Sequence, residues 1–433
     1  MDHDQRSRAA VWHPCTQMKQ HERVPLIPIA RGDGVWLYDF AGRRYLDGIS
    51  SWWVNLFGHN NPRINGAISD QLGKLAHTML AGLTHEPVIA LSERLSALTG
   101  GKLGHCFYGS DGASAIEIAL KMSFQYWRNC GHTKRDRYIS LRNGYHGETI
   151  GALSVTDVRL FKDTYAALLR PSAQTPTPDT RRAEAGESPR DFAVRCAQLL
   201  AGYLDEHGDE TAAFILEPLV QCAAGMAMYD AEYLRQARAL CAQHQVHLIA
   251  DEIAVGFGRT GTFFACEQAG IVPDFLCLSK GLTGGYLPLS VVLTPPEIYQ
   301  AFYTDDVAHG FLHSHSYTGN ALACRAALAT LAIFEDDKVI ESNRSKARAL
   351  REATREIAEH AKVKNFRQCG MICAFEVETD NPRFGERFRE LAGAAELLLR
   401  PIGNTVYFMP PYVIDAAEIE ILASRTLNII DRL

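Results

Sequence analysis

The sequence predicts an α/β protein, with a large domain built on a mostly parallel sheet and a smaller α+β domain. Three observations carry that expectation. After Thr99, short apolar strand-like runs alternate with helical stretches, the pattern of parallel strands covered on both faces. Several of those runs end abruptly in polar or charged residues, where open parallel sheets bind ligands. The chain of 433 residues also exceeds what one hydrophobic core usually supports.

Taken in order, "GVWLYDFAGRRYLDGIS" alternates apolar and polar residues around a Gly-containing turn, as a β-hairpin does. From Ile64 to about Thr99, apolar residues recur at helical spacing with short breaks. "ASAIEIALKMSFQYW" reads as a helix, "RYISLR" as a strand and "AAFILEP" as a buried strand. The helix "AEYLRQARALCAQHQ" follows, then the strands "VHLIAD" and "DFLCLS". Residues 171–190, rich in proline and charge, read as a surface loop. A long helix is expected to begin near Asn320, and the remainder, with "FRQCGMICAFEVE" and "TVYFMPPY", reads as a smaller α+β domain.

Hydrophobic residues make up 47% and charged residues 22%, an ordinary globular mix. A net charge of −6 with scattered Lys and Arg argues against nucleic acid or a membrane surface as partner. The polar opening "MDHDQRSRAAVWHP" does not read as a signal segment, and no apolar run is long enough to span a bilayer. Eleven dispersed cysteines without a CxxC pair read as reduced thiols in a cytoplasmic protein, and no metal site is expected.

The sharpest chemical signal is "LIADEIAVGFGRTG", followed by "PDFLCLSKGLTGG". One apolar run ends in Asp251-Glu252 and another in Ser279-Lys280, before Gly281, Gly284 and Gly285. A lysine after a nearly uncharged strand is a poor choice for a solvated charge. Burial depresses its pKa and frees the amine as a nucleophile. An Asp–Lys ion pair closing the sheet fits the same pattern. In "CFYGSDGASAIEIALK", Ser110, Asp111, Gly112 and Ala113 open a helix, whose free N–H groups suit a phosphate. A plain N-cap by Ser110 or Asp111 is the competing reading. In "RNGYHGETIGALS", Tyr145 follows a strand-end turn, placed either to lie flat on a planar ligand or to be buried with its hydroxyl satisfied. Together these parts form the inventory for holding pyridoxal 5'-phosphate (PLP): a phosphate cradle, an aromatic platform, a carboxylate for the ring nitrogen and a nucleophilic lysine.

On these residues, from about Trp12 to Tyr412, the chain resembles the class III aminotransferases of the aspartate aminotransferase fold. The resemblance implies a PLP-dependent transferase of fold type I, with a seven-stranded sheet. It implies a small domain from residues 1–60 and 326–433 and a PLP-binding domain over 61–325. Lys280 would bond to the cofactor aldehyde and shuttle the proton, with Asp251 pairing with the pyridine nitrogen. Backbone N–H groups of Asp111, Gly112 and Ala113 would hold the phosphate, and Tyr145 and Ile253 would cover the two ring faces. Ser316, with His315 and Ser314 in "HSHSYTGN", would reach the phosphate across a homodimer interface. His315 stands where the family often has Pro, and Ser314 where it often has Gly.

Within the family, "WHPCTQM", "DGISSWWVN" and "RPIGNTVYFMPPY" are similar to the branch acting on S-adenosyl-L-methionine and 8-amino-7-oxononanoate in biotin biosynthesis. Trp52, Trp53 and Tyr407 would then line the substrate cleft, Arg400 would receive the acceptor's carboxylate, and Arg259 would lie near the site. If Trp52 and Trp53 lie in an extended segment, successive side chains point to opposite faces and one core cannot bury both. Cys15 stands where the branch commonly has a tyrosine that recognises both substrates. A thiol cannot replace an aromatic face, so lysine as donor stays open; against the other alternative, an ω-aminotransferase using 2-oxoglutarate, stand the tryptophan pair and "MPPY". A nucleotide-binding dehydrogenase would need a GxGxxG turn between strand and helix with an acidic residue further on, and none is found.

Overall fold

The computed structural model describes Met1–Leu433 and divides into two compact units: Arg63–Ser342, and Met1–Pro62 together with Asn343–Leu433. Residue 325 lies inside the helix Ala321–Asp336, which packs on the helix Glu86–Leu98 within the larger unit. Both helices therefore belong with the sheet.

The larger unit is organised by a seven-stranded sheet. Its strand order is His105–Gly109, Ser290–Thr294, Phe275–Leu278, His247–Asp251, Thr211–Leu216, Arg137–Leu141 and Ala173–Thr175. Ser290–Thr294 runs antiparallel to both neighbours, and the other strands are mutually parallel. Four central strands are buried along their whole length, which is why they read as unbroken apolar runs rather than alternating ones.

The helix Gly112–Asn129 lays Ala115, Ile116, Ala119 and Met122 on this sheet, against a core that includes Ile215, Ile249, Phe275 and Val292. Each such large aliphatic or aromatic side chain contributes about 1.5–3 kcal/mol on burial. The helical stretch expected from Ile64 to Thr99 resolves into Pro62–Leu72 and Glu86–Leu98, with non-helical chain between them.

Residues 171–190 are not simply a surface loop. Ala173–Thr175 form the outermost strand of the sheet, and Thr177 and Asp179 are buried behind it. A three-residue strand flanked by Pro171 and Pro176 suits an edge, where one side of the backbone needs no strand partner.

The smaller unit contains the hairpin Trp36–Asp39 and Arg44–Asp47, extended by Ile29–Asp33 and Leu397–Leu398. It also contains an antiparallel sheet of Val363–Cys369, Ile372–Val377 and Thr405–Phe408. No helix in the chain is long and apolar enough to cross a membrane.

Because the strands are parallel, their carboxyl ends fall on one edge. Register puts Asp251 opposite Cys277 and Ala250 opposite Leu216. Glu217 and Asp251 therefore emerge from adjacent strands at the same level, and Lys280 follows beyond the end of the next strand, Phe275–Leu278, at the same edge. The neighbouring Glu252 is engaged elsewhere. Its carboxylate accepts from the N–H groups of Ala265 (2.7 Å) and Cys266 (2.8 Å), fixing the short helix Ala265–Ala269.

Burial pushes the Glu252 carboxyl up to about 7, against the pull of those two donors. Its folded pKa therefore lies above its unfolded value of 4.5. The stability it contributes is present below that value and is lost as pH rises through about 7. Glu252→Gln removes this titration. A melting-temperature series from below 4.5 to above 7 should be flatter for the variant than for the wild type, and parallel slopes would contradict the assignment.

Candidate active site

Lys280 follows the strand Phe275–Leu278 after Ser279 and adopts a left-handed backbone, φ 45°. A non-glycine residue in that region is strained by about 1–3 kcal/mol. The strain turns the chain sharply where the strand meets the sheet edge. Burial draws the Lys280 ammonium below the usual lysine range, opposed by Cys222, Asp251 and Glu217. The amine is thus biased toward the neutral, nucleophilic form.

Asp251 is 5% exposed. Its Oδ1 accepts from the Ile253 N–H at 3.1 Å, and its Oδ2 lies 2.7 Å from Nδ1 of the buried His146. An ionised carboxylate can only accept, so His146 carries its proton on Nδ1 and donates it to Asp251. Glu217 completes the cluster: Oε1 accepts from Tyr145 N–H (3.0 Å) and Oε2 from Cys222 N–H (2.9 Å). Burial pushes its carboxyl up to about 7, with His146 pulling down and Asp251 pushing up.

Neither His146 nor Glu217 was singled out from sequence. The available signal was the one that found Asp251, an acid ending an apolar strand; in "AAFILEP" only the buried strand was read, not the acid that ends it.

The N-terminus of the helix Gly112–Asn129 lies at the same edge. Asp111 caps it by accepting from Ser114 N–H at 2.9 Å, which leaves the N–H groups of Gly112 and Ala113 without an acceptor in the chain. A Cβ at Gly112 would meet Ile253 Cγ2 at 3.0 Å, and one at Gly147 (φ 120°) would meet the Ala113 Cβ at 2.6 Å. Glycine at both positions lets the two loops close around that helix end. Tyr145 is half-buried, its hydroxyl donating to Glu148 Oε1 at 3.0 Å and its ring tilted on Phe161 at 5.5 Å. His315 sits 3.1 Å from the Ser110 hydroxyl, while Ser314 and Ser316 are exposed. Arg259 is 1% exposed and enclosed within the larger unit.

In the smaller unit the tryptophan pair is not extended. Ser50, Ser51, Trp52 and Trp53 have φ of 52°, 46°, 72° and 75°, a left-handed turn built without glycine. Such a turn costs about 1–2 kcal/mol per residue, so it persists only where surrounding contacts offset it. Those contacts are present. Asp47, wholly buried, accepts from Ser51 N–H (2.8 Å), the Ser51 hydroxyl (2.7 Å) and His59 Nε2 (3.0 Å). The Ser50 hydroxyl donates to the Met409 carbonyl at 2.7 Å. Hydrogen bonds to a charged group contribute about 1.5–3 kcal/mol each, enough to hold the turn.

The turn separates the indoles. Trp53 is buried and donates from Nε1 to the Tyr407 hydroxyl at 3.1 Å. Trp52 is 41% exposed and carries the Arg400 guanidinium 4.9 Å above its ring. Arg400 also donates to the backbone carbonyl of Cys15 at 2.8 Å. Arg400 is thus held by an aromatic face and a carbonyl, neither of which neutralises its charge.

A mostly parallel sheet with a strained strand-end lysine, a buried strand-end aspartate and a glycine-opened helix N-terminus on one edge defines an α/β transferase of the aspartate aminotransferase fold. The chain belongs to the class III aminotransferases, whose family model matches residues 17–430. It is 48% identical to the adenosylmethionine-8-amino-7-oxononanoate aminotransferase of Helicobacter pylori, over 98% of this chain and 96% of that protein. It is 39% identical to the enzyme of the same name from Geobacter sulfurreducens, over 96% and 94%.

Among solved structures, adenosylmethionine-8-amino-7-oxononanoate aminotransferase from Methanocaldococcus jannaschii superposes with a TM-score of 0.93 at 36% identity, covering 99% and 98% of the chains. An amine transaminase from an uncultivated Pseudomonas species, solved in its PLP-bound form, gives 0.92 at 32% identity, covering 98% of each.

The residues of this chain fit such a cofactor. The cradle at Gly112 and Ala113 has two unused N–H donors and no room for a Cβ at Gly112. Asp251 offers a buried carboxylate fixed by two donors, and Lys280 offers an amine biased toward neutrality. His146 donates to Asp251 and is expected to act through it as a positioning residue. His146→Ala removes a hydrogen bond to a charged group worth about 1.5–3 kcal/mol, so kcat should fall about 10- to 100-fold while PLP stays bound. The check is steady-state kinetics beside cofactor stoichiometry, and an unchanged kcat would contradict the role.

Proposed function

We propose that this chain uses PLP to move the amino group of S-adenosyl-L-methionine to 8-amino-7-oxononanoate, giving 7,8-diaminononanoate for biotin biosynthesis in the cytoplasm. The observation that carries the acceptor assignment is Arg400, a half-buried guanidinium stacked on Trp52 with its charge unopposed. Such a fork pairs bidentately with the carboxylate of a long keto acid. The near full-length similarity to enzymes named for this reaction supports the same reading.

When bound, PLP supplies an aldehyde that takes up and releases the amino group, and an electron-accepting ring. The chain's residues supply the rest. Lys280 would hold the cofactor through its Nζ and, once a substrate amine has taken its place, would serve as the base that moves the proton. Asp251, oriented by His146, would pair with the ring nitrogen and favour its protonated form. Gly112 and Ala113, with Asp111, would bind the phosphate through backbone N–H groups, and Tyr145 and Ile253 would cover the ring. Trp52, Trp53 and Tyr407 shape the substrate side, and Arg259 and Ser314 complete the proposed contacts. Release of the donor's 2-oxo product precedes entry of the acceptor into the same site.

Arg400 meets Cys15 through its backbone carbonyl. That contact does not depend on which side chain occupies position 15, so the missing aromatic bears on the donor rather than on the anchor.

A homodimer is part of the proposal. The segments around His77 and Ser316 are tied together, His77 Nε2 lying 2.7 Å from the Ser316 carbonyl and Asn320 donating to the Ala76 carbonyl at 3.1 Å. They expose Met79, Leu83, Leu312 and Tyr317, an apolar surface suited to a second copy. Ser316 in that surface would serve the partner's phosphate, with His315 beside it.

Stopped-flow mixing of the holoenzyme with S-adenosyl-L-methionine should convert the cofactor's visible band to that of its aminated form. Adding 8-amino-7-oxononanoate should restore the band and yield 7,8-diaminononanoate by mass spectrometry. Conversion by lysine but not by S-adenosyl-L-methionine would overturn the donor. Transfer to 2-oxoglutarate with none to 8-amino-7-oxononanoate would overturn the acceptor.

A further inference from the structure

The left-handed turn at Ser50–Trp53 presents Trp52 to Arg400, and its hold comes from one buried carboxylate. Asp47 receives both the backbone N–H and the hydroxyl of Ser51, at 2.8 and 2.7 Å. Its Oδ2 also meets Nε2 of His59 at 3.0 Å. On the far side of the ring, Asn55 Nδ2 lies 3.1 Å from His59 Nδ1. An amide nitrogen is only a donor, so Nδ1 is the accepting nitrogen and Nε2 carries the hydrogen given to Asp47.

His59 is itself fixed through its backbone, which pairs with Gly34 in both directions, at 2.7 and 3.1 Å. A Cβ at Gly32 would meet the His59 Cβ at 2.5 Å, so Gly32 makes the room for this seat. Asp47, His59 and Asn55 thus form a rigid chain ending on the residue that precedes Trp52.

We propose that Asp47, oriented by His59, is a positioning residue for recognition of the acceptor carboxylate. By clamping Ser51 in the left-handed region it fixes the indole of Trp52, and the indole fixes the guanidinium of Arg400. Without the clamp, Ser51 relaxes toward the right-handed or extended backbone that its side chain favours. Trp52 then leaves its place under Arg400, and the anchor loses the platform that pre-orients it. Asp47 touches neither substrate nor cofactor; its effect passes entirely through Trp52 and Arg400. The proposal rests on the reading of Arg400 as the acceptor's anchor.

A double-mutant cycle on the holoenzyme separates the two claims. Its variants are Asp47→Asn, Arg400→Ala and the double substitution, assayed with 8-amino-7-oxononanoate and with the matching amino ketone that lacks the carboxylate. Asparagine keeps the shape and can still accept from Ser51 N–H, but its amide nitrogen cannot accept from the hydroxyl or from His59.

Asp47→Asn should raise KM for 8-amino-7-oxononanoate about tenfold with a smaller change in kcat, and should leave KM for the carboxylate-free ketone nearly unchanged. The double variant should be no worse than Arg400→Ala alone, because both substitutions remove one interaction. Ser51→Ala, which deletes only the hydroxyl bond, should show the same selectivity at smaller size, and it carries the test if Asp47→Asn does not fold.

Effects that multiply in the double variant, or equal losses on both ketones, would overturn the positioning role. An Arg400→Ala enzyme with unchanged discrimination between the two ketones would instead overturn the reading of Arg400.

Discussion

The hydrogen bond between His146 and Asp251 is the contact around which the larger unit's chemistry is arranged. Burying a carboxylate is unfavourable unless charge and hydrogen bonds compensate it. Asp251 is compensated twice, by an imidazole N–H at 2.7 Å and by a backbone N–H at 3.1 Å. Glu217 and Glu252, buried close by with backbone donors, are instead driven up to about 7. Three buried acids thus have distinct duties: Asp251 faces the proposed ring nitrogen, Glu217 ties the Tyr145 loop to Cys222, and Glu252 braces a turn.

The two units divide the work along the same line. The larger unit gathers the cofactor-directed groups on one sheet edge, because parallel strands deliver their carboxyl ends together. The smaller unit holds Trp52 and Trp53 on a strained turn, Tyr407 within the strand Thr405–Phe408 and Arg400 just beyond the short strand Leu397–Leu398. In the proposed assignment, the larger unit's residues would set the class of reaction and those on the turn would set which acid is accepted. A scaffold of this kind can change substrate without disturbing Lys280 or Asp251.

Much of this was legible in the sequence, for reasons that differ by residue. Lys280, Asp251 and Gly112 could be found because each interrupts a strong pattern: a charge ending an apolar strand, or a glycine opening a helix. His146 and Glu217 escaped because a histidine inside "RNGYHGET" and an acid before Pro218 have ordinary explanations until their partners are seen. The left-handed turn was illegible for a deeper reason. "SSWW" contains no glycine, and its determinants lie in Asp47, His59 and Met409, partners that local propensity does not report. Ala173–Thr175 was hidden by its prolines, which mark an edge strand and a loop alike.

The central claim is that a buried, imidazole-held carboxylate keeps the cofactor's ring nitrogen protonated opposite Lys280. Nitrogen-15 NMR of holoenzyme reconstituted with PLP labelled at that nitrogen tests it most directly. The resonance should lie at the protonated position in the wild type throughout the active pH range, and move to the unprotonated position in Asp251→Asn. An unprotonated nitrogen in the wild type, or a protonated one in both, would contradict the account.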